Sequence, residues 1–110
     1  MKERTIETYT VEICIAGNYD DAIRICKKFC EIKLCVTVDK TEFIYTQGAE
    51  SGVKVRLVQY PRFPHEKYEI YETAYKLTLD LIEGLFQGSA LIITPDRTHW
   101  ITTDNYKGKE

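Results

Sequence analysis

Four cysteines, two histidines and several acidic pairs are the groups in this chain whose types and spacing could do chemistry. Cys26 and Cys30 stand four residues apart, so on a helix they share a face and could hold a metal or act as a redox pair. The spacing matches no common zinc pattern, and the histidines that would complete a site, His65 and His99, lie far along the chain. Residues 1–10 (MKERTIETYT) lack the apolar core of a signal segment, which argues against a secreted disulfide framework. Cys14, Cys26, Cys30 and Cys35 therefore read as packing residues, and neither a metal nor a cofactor is expected.

Catalytic signatures are missing. The chain has no glycine-rich phosphate loop, no HExxH and no GxSxG. His65 reads as a cap at a helix start, and His99 as a half-buried sheet residue. Asp20/Asp21, Glu66/Glu69/Glu72 and Asp80/Glu83 fit exposed helix faces. No nucleophile–base pair follows from spacing, and the balance is against an enzyme.

Binding chemistry is better represented. The stretch VKVRLVQYPRFP, residues 53–64, reads as a strand running into a rigid two-proline elbow. The elbow presents Tyr60, Arg62 and Phe63, and a second group, Arg97, His99 and Trp100, sits near the C-terminus. Tyr, Trp and Arg are the types that anchor interfaces. Tyr68, Tyr71 and Tyr75 add to the aromatic supply; their ordinary reading is packing with polar tips in water.

The elements that must position these groups follow from periodicity. Residues 8–15 alternate, with Tyr9, Val11, Ile13 and Ile15 on one face and Thr8, Thr10, Glu12 and Cys14 on the other. Asn18 is a good cap for a first helix over 19–32, whose stripe is Ala22, Ile23, Cys26, Phe29 and Cys30. In residues 34–46, Leu34, Val36 and Val38 have one parity, and Phe43 and Tyr45 the other. A bulge near 39–41 is the favoured explanation and a turn the alternative. Residues 47–52 read as a loop closing a hairpin onto the next strand. A second helix over 65–86, about 33 Å long, presents the seam Ile70, Ala74, Leu77, Leu81 and Leu85. Gly88 reads as its stop. Residues 90–103 read as strand, Pro-Asp-Arg turn and strand.

This order predicts one α+β domain over 8–103, with tails at 1–7 and 104–110. The architecture expected is a ferredoxin-like βαββαβ two-layer sandwich, an antiparallel sheet with two helices on one face, plus a C-terminal hairpin. The open face should then set Glu12 opposite Lys54 or Arg56. The RNA-recognition module shares this strand order but needs stacking aromatics where this chain has Thr, Glu, Lys and Arg. With a formal charge of −2, nucleic acid is not the expected partner. No apolar run reaches membrane-spanning length.

The phrases YTQGAESGVKVRLVQYPRFP and SALIITPDRTHW, with the long helix between them, resemble small accessory proteins of tailed bacteriophages and prophages. The resemblance covers most of residues 8–103 and carries no catalytic residues over. It implies a compact protein made in the cytoplasm of a bacterial or phage-infected cell and acting on host machinery or defence. The function expected is non-catalytic binding of a protein partner, with a homodimer also open through a free sheet edge or face. The alternative is a small-molecule or nucleotide site between the Pro61–Pro64 elbow and the last hairpin, lined by Arg62, Arg97 and Trp100.

Overall fold

The computed structural model describes residues 1–31 and 34–106. Its elements run β1 (Thr10–Ala16), α1 (Tyr19–Phe29), β2 (Val36–Tyr45), β3 (Gly48–Val58), α2 (Lys67–Gly84), β4 (Ser89–Ile93) and β5 (Thr98–Thr102). The strands form one antiparallel sheet in the order β2-β3-β1-β4-β5, and both helices pack against it in a two-layer α+β arrangement.

Alternation in the central strands decides which face meets the helices. Val11, Ile13 and Ile15 of β1 pair with Leu57, Val55 and Val53 of β3, and all six are buried. Leu77 and Leu81 of α2 cover them, and both are fully buried. The opposite face of the same strands places Glu12 across from Arg56, as the alternation predicts, with an ion pair at 3.1 Å.

Capping follows the sequence at α1. The Asn18 side chain accepts from the Asp21 N–H at 2.9 Å, and Asp20 and Asp21 occupy the positive first turn. The helix ends at Phe29, and position 32, its expected end, lies outside the described residues. At α2 the cap is Glu66 rather than His65, because the Glu66 N–H is satisfied by the Glu69 carboxylate at 2.8 Å. The helix stops at Gly84, short of Gly88. The Gln87 N–H bonds to the Ile82 carbonyl and the Phe86 N–H to that of Glu83, with Phe86 left-handed at φ 57°. This is a Schellman stop with phenylalanine where glycine is usual. Gly84 serves another purpose: a Cβ there would strike Ile25, so its absence lets α1 approach α2.

The parity conflict in β2 is resolved without a bulge or a turn at 39–41. Val36 to Tyr45 pair continuously with Leu57 to Gly48. The expectation of a bulge assumed burial along the whole strand, but the far half of this hairpin has none: Ile44 is 82% exposed. Phe43 turns instead onto the open face over Gly52, whose missing side chain makes room for the ring. The expected loop at 47–52 shrinks to a turn at Thr46 and Gln47, with Gln47 at φ 66°.

Candidate functional site

Tyr71 and His99 meet with ring centroids 4.8 Å apart, tilted by 49°. Two local rules bring them together. Burying Ile70, Ala74 and Leu77 fixes the rotation of α2, so the aromatic flank of its first turns runs along the sheet edge. Register sets His99 opposite Ile92, which is fully buried, so the imidazole lies on the helix-covered face. The β4–β5 turn is held from within. Thr94 N–H bonds to the Arg97 carbonyl at 2.8 Å, and the Thr94 hydroxyl accepts from the Arg97 N–H at 3.0 Å. The same hydroxyl lies 3.0 Å from an Asp96 carboxylate oxygen.

Between this turn and the start of α2 lies a cleft of about 280 Å³. Tyr9, Tyr68, Tyr71 and His99 give it ring surfaces, and Lys67, Asp96 and Arg97 give it charge. The Lys67 ammonium sits 5.7 Å from the Tyr9 ring centre and 3.2 Å from the Glu7 carboxylate. Arg97 takes part in none of the three ion pairs among the described residues. Burial, then the neighbouring phenols of Tyr75 and Tyr9, raise the Tyr71 hydroxyl above its ordinary pKa. It therefore stays a neutral donor and acceptor near pH 7. The arrangement can stack a flat ring, pair a carboxylate with Arg97 or Lys67, and pair a cation with Asp96.

The residues singled out from sequence fall in three places. Arg97 and His99 line this cleft. Tyr60 and Arg62 border a separate open recess with Arg4 and Pro61, and the Arg62 guanidinium lies 5.3 Å from the Phe63 ring centre. Trp100 projects from the other face, 51% exposed, edge-on to Tyr106 at 5.5 Å. Arg62, Arg97 and Trp100 therefore do not line one cleft. Adjacent strand residues point to opposite faces, so the separation of His99 from Trp100 was legible in the alternation itself. Tyr9, Lys67, Thr94 and Asp96 were not singled out as site residues. Of these only the TPDR turn carried a local signal, since Thr and Asp cap such turns through their side chains.

The elbow is more constrained than two prolines require. Phe63 N–H bonds to the Tyr60 carbonyl at 3.0 Å, and the two residues form an isolated bridge. The Gln59 amide clamps the His65 backbone, accepting from its N–H at 2.8 Å and donating to its carbonyl at 2.6 Å. Nothing in the sequence pattern singled out Gln59.

Cys14 and Cys26 are buried, as packing thiols should be, whereas Cys30 is half-buried and Cys35 exposed. Burial pushes the Cys14 and Cys26 thiols up to about 11, helped by Glu12 and by Cys30 respectively. No group of three metal-ligating side chains converges among the described residues. Among them, too, no helix is long and apolar enough to cross a membrane.

Fold and cleft together define a two-layer α+β domain with an aromatic, mixed-charge cleft at one sheet edge. No family model matches the chain, and no curated protein matches it. Two solved structures share the fold. A phage SAM lyase in its apo state superposes with a TM-score of 0.69 at 15% identity, covering 97% of this chain and 99% of that one. A phage SAM lyase in complex with S-methyl-5'-thioadenosine gives 0.65 at 14% identity, covering 97% and 98%. The expected resemblance to phage proteins is thus supported at the level of structure, and what is shared at this identity is the fold.

Proposed function

We propose that this protein binds S-adenosylmethionine in the cleft between α2 and the β4–β5 hairpin and cleaves it to S-methyl-5'-thioadenosine. The observation that carries the reading is the cleft's mixed lining. Ring faces of Tyr71 and His99 stand beside one carboxylate, Asp96, and two cations, Lys67 and Arg97. The substrate offers a matching set: an adenine to stack, a ribose and sulfonium, and an amino acid end with one charge of each sign. The fold shared over nearly the full length of both chains with a phage SAM lyase supports the same reading.

Cleavage breaks the bond between sulfur and Cγ, and the electron pair leaves on sulfur as a neutral thioether. A lyase does this without water. The four-carbon arm then either closes on its own carboxylate, forming a C–O bond, or loses a β-proton to a base. The first route neutralises a carboxylate against a sulfonium, so it gains from low polarity and excluded water. The half-buried rings of Tyr9 and Tyr71 supply apolar surface there, and Arg97 or Lys67 can orient the arm. The second route needs a base, and His99 offers an imidazole.

The test is incubation with S-adenosylmethionine, followed by chromatography and mass spectrometry of both product halves. The expected result is S-methyl-5'-thioadenosine with a lactone or an unsaturated amino acid, and its loss in Tyr71→Ala and His99→Ala. Intact substrate, together with no thermal shift on adding millimolar S-methyl-5'-thioadenosine, would sink the reading.

The architecture is read here as a ferredoxin-like sandwich with β5 added at one edge, a reading supported by β1 and β3 lying side by side within β2-β3-β1-β4. On this reading the protein works in the cytoplasm of a bacterial or phage-infected cell, where it would meet its substrate. A second reading, non-catalytic engagement of a protein partner, is favoured by the clamped elbow, where Tyr60 is 42% exposed. A pre-set turn loses little entropy on docking. Arg62→Ala should then release a co-purifying protein while leaving cleavage intact.

A further inference from the structure

At the sheet edge opposite the aromatic cleft, three of the four cysteines line a second, apolar cleft of about 340 Å³ between the end of α1 and the start of β2. Its other walls include Ile23, Leu34, Val36 and Val38. Position and burial narrow which thiols could react with each other. Cys14 is on the far side of the sheet, where register sets it beside Lys54 and Leu91 and its thiol points to Glu12. Cys26 and Cys30 are one helical turn apart, which leaves their Cβ atoms roughly 5–6 Å from each other. A disulfide needs about 3.5–4.5 Å. Cys26 is also only 4% exposed.

Cys30 differs from Cys26 because it is the C-cap of α1. Its backbone has left the helical region (φ −88°, ψ 36°), and it is half-buried rather than buried. Cys35 is exposed on the other side of the connector and lines the same cleft. Burial and the nearness of Cys35 both raise the Cys30 thiol, as two neighbouring thiols should.

We propose that Cys30 and Cys35 form a dithiol site that exchanges with small disulfides of the glutathione class. Exposure makes Cys35 the first to react. Its thiolate attacks one sulfur of the incoming disulfide, forming a mixed disulfide and expelling one small thiolate. The Cys30 thiolate then attacks the Cys35 sulfur and expels the second. Two protein thiols and one small disulfide become one protein disulfide and two small thiols, so no further oxidant is needed. The bond formed ties the end of α1 to the start of β2 and narrows the cleft mouth. This inference is independent of the cleavage reaction.

The full chain is treated with excess glutathione disulfide, its free thiols are counted, and its peptides are mapped by mass spectrometry. The count should fall from four to two, with a peptide linking Cys30 to Cys35 that disappears on reduction. Cys30→Ser should stop at the mixed stage, with one glutathione retained on Cys35, and Cys35→Ser should keep its remaining thiols. Four persistent thiols in the unmodified chain would overturn the proposal, as would glutathione adducts without an internal link or a link through Cys26.

Discussion

On the helix-covered face of the sheet, Val11, Ile13, Ile15, Val53, Val55 and Leu57 are buried in one hydrophobic cluster. One position along the same strands, Glu12 and Arg56 form a solvated ion pair, and Lys54 stands beside Asp39. The two faces arise from one alternation and differ in what they contribute. Burying apolar area on the covered face supplies most of the folding free energy, at about 25 cal/mol per Å². Cross-strand ion pairs on the other supply tenths of a kcal/mol to about one. The aromatic cleft belongs to neither interior. It forms where the covered face runs out, as α2 passes the edge of the sheet and its tyrosines keep one side toward solvent.

The contrast is sharpest for core truncation. Leu77→Ala, at a fully buried position, should cost about 2–5 kcal/mol in urea denaturation. Alkali should act on both faces together. The folded chain holds the Cys14 and Cys26 thiols at about 11 against an ordinary 9.0, so above pH 9 the unfolded chain releases protons that the fold retains. Stability should be level up to about pH 9 and fall toward pH 11, and Cys26→Ala should flatten part of that fall in a pH series of melts. Equal slopes in both chains would mean that Cys26 is not held protonated.

Ligand effects should separate neighbours in sequence. His99→Ala should weaken S-methyl-5'-thioadenosine binding by about tenfold or more, the loss of one ring contact worth roughly 1.4 kcal/mol, while Trp100→Ala leaves it unchanged by calorimetry. A matching loss in Trp100→Ala would move the site to the open face. Phe86→Gly should raise stability by about 1 kcal/mol, since it relieves a left-handed residue that is 92% exposed. Smallest of all, Arg56→Ala should cost about 0.2–1 kcal/mol. A loss as large as that of Leu77→Ala would mean that something besides water uses this face.

Much of this architecture was legible in the residues. β1 alternates, Asn18 caps α1, and the seam from Ile70 to Leu85 is buried as its spacing requires. The errors share a cause. The bulge in β2, the loop at 47–52 and the helix stop at Gly88 follow only if apolar residues are buried and glycines turn the chain. The β2–β3 hairpin extends past the helices, so Ile44 and Tyr45 are exposed with no parity to satisfy. Gly52 serves close approach to Phe43 instead of turning the chain, and Gly84 serves close approach to Ile25. Of the cleft, Arg97 and His99 were visible as chemistry, and Tyr68 and Tyr71 as an aromatic flank.

What the sequence determined by itself is local: which side of each strand and helix is apolar, where the first helix starts, and that Cys26 shares a face with Cys30. Such facts follow from periods of two and 3.6 residues, which depend only on neighbours in the chain. Tertiary structure alone decided that the start of α2 meets the β4–β5 turn, that His99 is the β5 residue whose ring meets Tyr71, and that Cys35 returns to the cleft beside Cys30. Those juxtapositions depend on strand order and on how far each element runs past its partner, and both are set by packing between residues far apart in the chain.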